Sequence, residues 1–159
     1  MQKIKFNYDA SYTISAPVSS VYEFFRKPDN ICACISDIDH FELLDSNTAR
    51  CKHKTKRDFG IVFSPEYILR YYYSEPEEIR WKSLDGNVDV NAIISLRPID
   101  TNMTRITVNE EISFELQVSS IMAKLVRSIA AIETRNEMIG LLRTIETKLS
   151  ASGLTESAR

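Results

Sequence analysis

Residues 4–28, IKFNYDASYTISAPVSSVYEFFRKP, change period halfway, and that change decides the fold. From Ile4 to Ser15 apolar and polar side chains alternate. Ile4, Phe6, Tyr8, Ala10, Tyr12 and Ile14 share one side, and Lys5, Asn7, Asp9, Ser11, Thr13 and Ser15 the other. A period of two is a strand with one buried face. After Pro17 the spacing becomes helical, with Val18, Val21, Tyr22, Phe24 and Phe25 on one face. Pro17 suits a first helical turn, where its lack of an N–H leaves no bond unmade. Pro28 disfavours helix at Lys27 and should end the segment there. The following DNICACIS predicts a second short helix, capped by Asp29 or Asn30.

Outward from this stretch, period two returns between about residues 38 and 116. It predicts six strands: IDHFELLD, TARCKHKTKRD, FGIVFSPEYILRYYYS, EIRWKSLD, VDVNAIISLRPI and TRITVNEEISFEL. The joints carry turn chemistry at Asp45-Ser46-Asn47, Asp58, Ser74–Glu77, Asp85-Gly86-Asn87 and Asp100-Thr101-Asn102. Connections this short impose antiparallel hairpins. Residues 118–149 then turn helical, with Val118, Met122, Leu125, Ile129, Ile132, Ile139, Leu142, Ile145 and Leu149 at steps of mostly three or four and Ser119 or Ser120 as the cap. A sheet with one apolar face needs a cover, and this helix is the one element large enough. The expected fold is therefore α+β: a seven-stranded curved antiparallel sheet wrapped around one long C-terminal helix. It forms a single domain over 1–150, with a disordered tail over 151–159.

Composition narrows the function. The chain has 159 residues, 43% hydrophobic and 26% charged, with a net charge of −2. No basic excess offers a match to nucleic acid phosphates. No apolar run reaches the ~20 residues of a membrane span, and MQKIKFNYDA lacks a signal peptide's apolar region. The cysteines, Cys32, Cys34 and Cys51, are odd in number and fit no disulfide framework, which points to free thiols in a reducing cytoplasm. Structural zinc needs four ligands, but Cys32 and Cys34 at i, i+2 diverge on a helix and only His40 and His53 could add to them, so no metal or other cofactor is expected.

Three stretches carry a resemblance. ISAPVSSVYEFFRKP resembles the strand-exit signature of the SRPBCC superfamily, which includes START domains, the birch-pollen allergen family, polyketide cyclases and a group of carbon monoxide dehydrogenase accessory proteins. EEIRWKSLDGN resembles a further strand of that superfamily, and LRPIDTNMTRITVNEEISFEL is similar to one of its hairpins. The resemblance spans residues 4–149 and implies a helix-grip fold with a cavity between sheet and long helix. The chain departs from the pollen-allergen branch in lacking its glycine-rich loop, and from the ring-hydroxylating oxygenases in lacking their cysteine and histidine pattern.

The candidate site follows from strand parity. Pairing across the Ser74–Glu77 turn sets Tyr73 beside Ile79 and Tyr71 beside Trp81, and Phe63 and Tyr67 continue the same inward face. Buried phenols need partners, so tyrosines favour a lined space over a dry core. His53 faces inward with Ala49, Cys51 and Thr55, while Arg50, Lys52, Lys54 and Lys56 form an outer stripe. That stripe is read as an exposed strand face, with weak contact to an anionic membrane surface as its second use. Glu110 falls among Ile106, Val108 and Ile112, either turned out by a bulge at Glu110-Glu111 or kept inside as a polar anchor. Met122, Val126 and Ile129 are the helix positions expected to face the cavity.

These residues predict a monomer that carries or senses a small hydrophobic molecule such as a fatty acid, isoprenoid, quinone or polyketide. Tyr67, Tyr71, Tyr73, Trp81, His53 and Glu110 would orient its polar head. Two alternatives remain: an aromatase/cyclase-type enzyme using His53, Glu110 or Tyr71, and an assembly module without ligand.

Overall fold

The computed structural model describes residues 1–74 and 77–157, with side chains described through residue 149. The element order is β1 (Gln2–Ile14), α1 (Val18–Phe25), α2 (Pro28–Cys34), β2 (Ile38–Asp45), β3 (Thr48–His53), β4 (Lys56–Asp58), β5 (Ile61–Phe63), β6 (Glu66–Ser74), β7 (Glu78–Gly86), β8 (Asp89–Asp100), β9 (Met103–Leu116) and α3 (Ser120–Ser157). The turn at Glu75-Pro76 lies outside the described residues, as do the side chains over which the tail was expected.

Seven strands form one antiparallel sheet in the order β1-β9-β8-β7-β6-β3-β2. β2–β3 and the run β6–β9 pair as hairpins, β3 pairs with β6 across the intervening β4 and β5, and β1 closes onto β9 from Gln2 opposite Leu116 to Ile14 opposite Thr104. Tyr71 lies opposite Trp81 and Tyr73 opposite Ile79, as parity requires.

Two of the expected strands are broken. Residues 48–58 divide into β3 and β4, and residues 59–74 into β5 and β6, with β4 and β5 forming a separate two-stranded ribbon. Pro65 has no N–H for a continuous ladder. Asp58 pairs with Ile61, so Phe59 and Gly60 form a two-residue turn, and both have positive φ (54° and 76°). That is the backbone of a type I′ hairpin. The break also turns Lys56 out of the exposed stripe in which alternation had placed it.

Caps and helix faces show smaller corrections. Lys27 caps α2 in place of Asp29 or Asn30, because Pro28 occupies the first helical position. Ser119 begins α3, its hydroxyl accepting from the Met122 N–H at 3.2 Å. Leu125 and Ile132, two of the apolar residues whose spacing marked the helix, are exposed. A helix covering a sheet buries a single stripe, and spacing by threes and fours drifts off it over several turns.

The core is in two parts. Phe25, Ile94, Leu141 and Ile145 belong to the larger, and Ile4, Leu116 and Ala123 form a smaller one at the start of α3. Between these two anchored ends lie Val126, Ile129 and Ala130 of α3, which border open space. Among the described residues no helix is long and apolar enough to cross a membrane.

Candidate functional site

The space between sheet and helix forms two adjoining chambers. The larger, about 160 Å³, is walled by Phe6, Phe63, Ile112 and Phe114 from the strands and by Val126 and Ile129 from α3. Phe63 and Phe114 stack with ring centroids 5.1 Å apart. The exposed Phe59 of the ribbon turn stands at its rim. The smaller, about 80 Å³, lies deeper, among Cys32, Tyr71, Trp81, Glu110 and Met138. His53, Tyr67 and Glu137 border both.

Backbone hydrogen bonds set the junction between the chambers. The N–H of His53 donates to the Pro65 carbonyl and that of Lys54 to the Asp37 carbonyl, each at 2.9 Å. The second bond brings Asp37, from the loop before β2, beside the His53 ring. Asp37 Oδ2 lies 3.0 Å from His53 Nδ1, and His53 Nε2 lies 2.6 Å from the Tyr67 hydroxyl. Burial lowers the imidazole below its ordinary range, against the pull of Asp37. A neutral ring has one N–H. It donates that N–H to Asp37 and accepts the Tyr67 O–H at the other nitrogen. Burial raises the Asp37 carboxyl, but bonds from His53 and Lys56 outweigh it and hold the group below its ordinary value. Lys56 Nζ spans Asp37 and Glu133 at 3.1 and 3.0 Å.

Two carboxyls are shifted the other way. Glu110 is 7% exposed, and burial raises it to about 7 despite a hydrogen bond from the Trp81 indole. Its register runs without a break, Tyr8 opposite Glu110 and Asn7 opposite Glu111, so no bulge turns it outward. Burial, with repulsion from Asp37, pushes Glu137 up to about 8. Burial also raises the phenols of Tyr67 and Tyr71 well above their ordinary value.

Of the residues expected at the site, Phe63, Val126 and Ile129 line the larger chamber. Tyr71, Trp81 and Glu110 line the smaller, and His53 and Tyr67 line both. Tyr73, Val108 and Met122 line neither. Tyr73 meets Tyr22 edge-on with ring centroids 6.4 Å apart, and Val108 is packed in the core. Asp37, Lys56 and Glu137 were not foreseen. Glu137 carried a signal, since it stands four residues after Glu133 and continues the stripe from Val126, whereas Asp37 carried none. Ligand atoms of Asp37, His53 and Glu137 lie within 4.8 Å of one another, a set able to accept a cation. The spacing of cysteines and histidines gives no sign of this set, because two of its three ligands are carboxylates from distant segments.

No family model matches the chain, and no curated protein matches it. Solved structures do. The Zhui aromatase/cyclase from Streptomyces sp. R1128 superposes with a TM-score of 0.74 at 12% identity, over 94% of this chain and 98% of that one. A START superfamily protein from Mycobacterium smegmatis gives 0.68 at 14%, over 91% and 97%. A conserved protein from Geobacillus kaustophilus gives 0.69 at 17%, over 92% and 97%. The architecture is thus that of a helix-grip protein, a curved sheet closed on a long terminal helix. The chain has a START-like fold.

Proposed function

We propose that the protein binds a small hydrophobic molecule between its sheet and α3, and carries or senses it without turnover. The observation that carries this reading is the larger chamber, a space of about 160 Å³ with mainly apolar walls between two packed ends of the core. An apolar cavity of about this size is known to stay dry and to accept a benzene ring. Burial of apolar surface supplies affinity at about 25 cal/mol per Å² before entropy costs, and the polar groups at the junction orient a head group. The START superfamily protein and the aromatase/cyclase of the same fold support a binding role for the cavity. A monomer in a reducing cytoplasm accompanies this reading, supported by the free thiols of Cys32, Cys34 and Cys51.

Two measurements on the native protein test it. Organic extraction followed by mass spectrometry should release a small molecule that is absent from an Ala130→Trp variant, in which the larger chamber is blocked. The neutral fluorophore N-phenyl-1-naphthylamine should brighten with the native protein and not with the variant. A clean extract together with no fluorescence response removes the proposal.

A further inference from the structure

Glu110 sits where an apolar strand face needs no carboxyl. Its neighbours along β9, Val108 and Ile112, face the interior, and its register opposite Tyr8 and Ala92 leaves it no way out. It is more than nine-tenths buried, lines the smaller chamber, and forms no ion pair among the described residues. The Trp81 indole is its one hydrogen-bond partner there. A carboxyl accepts more bonds than one indole provides.

The rest of the polar lining has the same sign. Asp37, Asp58, Glu110, Glu133 and Glu137 border the two chambers, against one lysine, Lys56, which Asp37 and Glu133 already hold. Among the described residues no arginine lines either chamber, and burial lowers His53 below its ordinary range, against a charged imidazolium. An anionic head would meet this lining with repulsion and without a free donor of positive charge. The smaller chamber is also walled by the rings of Tyr67, Tyr71 and Trp81, and aromatic rings attract cations electrostatically.

We propose that the ligand is a hydrophobic amine, its ammonium group held between Glu110 and Glu137 beside the aromatic rings and its apolar body in the larger chamber. This rests on the cavity-binding reading above and narrows its ligand class. It sets aside fatty acids among the classes expected from sequence. The ammonium gives the buried carboxyls the partner the chain does not supply, as charge-assisted hydrogen bonds. The groups facing the two carboxyls are Tyr8, His53, Tyr67, Trp81, Asp37 and Lys56. Raised by burial to about 7, the Glu110 carboxyl ionises across neutral pH. An alkylammonium, with a pKa near 10 like that of lysine, remains charged over that range.

Calorimetric titration of the full chain with four matched probes tests this: phenylpropylamine, phenylpropanol, phenylpropanoate and propylbenzene. At pH 8 the amine should bind about tenfold or more tightly than the alcohol, and the carboxylate most weakly. Amine affinity should rise between pH 6 and pH 9 while alcohol affinity stays flat. Glu110→Gln and Glu137→Gln should each cost the amine about tenfold and leave the alcohol within about twofold. Equal affinity for amine and alcohol, or tighter binding of phenylpropanoate, overturns the amine and leaves the cavity reading standing. If none of the four binds, the cavity reading falls and the amine with it. Zinc ion alone is the further arm. Tight zinc binding that excludes the amine and is lost in His53→Gln assigns the cation preference to a metal at Asp37, His53 and Glu137, and overturns the proposal.

Discussion

His53 Nε2 lies 2.6 Å from the Tyr67 hydroxyl, and this bond joins β3 to β6 at the junction of the two chambers. His53 is buried and Tyr67 half-buried, so water replaces the bond poorly. Tyr67→Phe should therefore lower stability by about 1–2 kcal/mol, the cost of leaving a buried imidazole nitrogen unpaired. Urea unfolding at pH 7.5 measures it. A change within experimental error would mean that the bond contributes nothing.

Gly86 faces Tyr67 across the β6–β7 hairpin, at φ 121°. A Cβ there would lie 2.2 Å from the Glu66 carbonyl oxygen and 2.5 Å from Tyr67 Cα. Backbone atoms cannot yield as a flexible side chain does. Gly86→Ala should cost about 2–4 kcal/mol and displace Tyr67. Thermal unfolding should show a fall of at least several degrees, and tyrosine ring shifts in NMR should report the displacement.

Stability should depend on pH through groups of opposite sign. Glu110 ionises near 4.5 unfolded and about 7 folded, so its contribution is complete below 4.5 and is lost as pH rises through about 7. His53, lowered in the fold from 6.5, costs stability as pH falls below that value. Glu110→Gln should thus gain about 1–3 kcal/mol over the native protein at pH 9 and nothing at pH 4. Denaturation curves at the two pH values check the prediction, and an equal effect at both would refute it.

Cys32 and Cys51 have their sulfurs 3.6 Å apart, on α2 and β3, beside the smaller chamber. The hydrogen bond with Cys51 outweighs burial and lowers the Cys32 thiol, while Cys51 is raised. Cys32 is accordingly expected to be the attacking thiol. Two thiols and one hydrogen peroxide give one disulfide and two waters. Mild peroxide should give a species lighter by two hydrogens whose disulfide maps to Cys32 and Cys51 and stabilises the fold by about 3 kcal/mol. Peptide mapping that finds only Cys34 oxidised would contradict this.

Ala130 borders the larger chamber from α3. Ala130→Leu should fill part of it, raise the melting temperature by a few degrees and weaken neutral apolar probes about tenfold, because the added methyl groups take the ligand's place. Unchanged probe affinity would place the ligand elsewhere.

Much of this fold was legible in the residues themselves. Alternation gave the side chains of β1, β3 and β9 their faces and placed His53 inside, and parity across the Ser74–Glu77 turn set Tyr71 opposite Trp81; whether Glu110 turned in or out stayed open until the register closed it. Where the period was interrupted, legibility ended. Residues 48–74 continue to alternate through the Lys54-Thr55 and Ser64-Pro65 breaks, so the ribbon β4–β5 was invisible and Lys56 was placed on the wrong side. Of the α3 positions expected to face the cavity, Val126 and Ile129 border the larger chamber and Met122 borders neither, while the apolar Leu125 and Ile132 are exposed because hydrophobicity does not track burial there.

The chain's own pattern determined that a curved antiparallel sheet would close on one long helix, with aromatic and polar side chains turned toward it. Periodicity is a local property, and the hydrophobic effect acts on it directly. Tertiary structure alone decided that Asp37, His53 and Glu137 meet, that Cys32 finds Cys51, and that α3 leaves room between its two packed ends. Those relations join segments far apart in sequence, whose distances are set by how faces pack and loops close, and no local period encodes them.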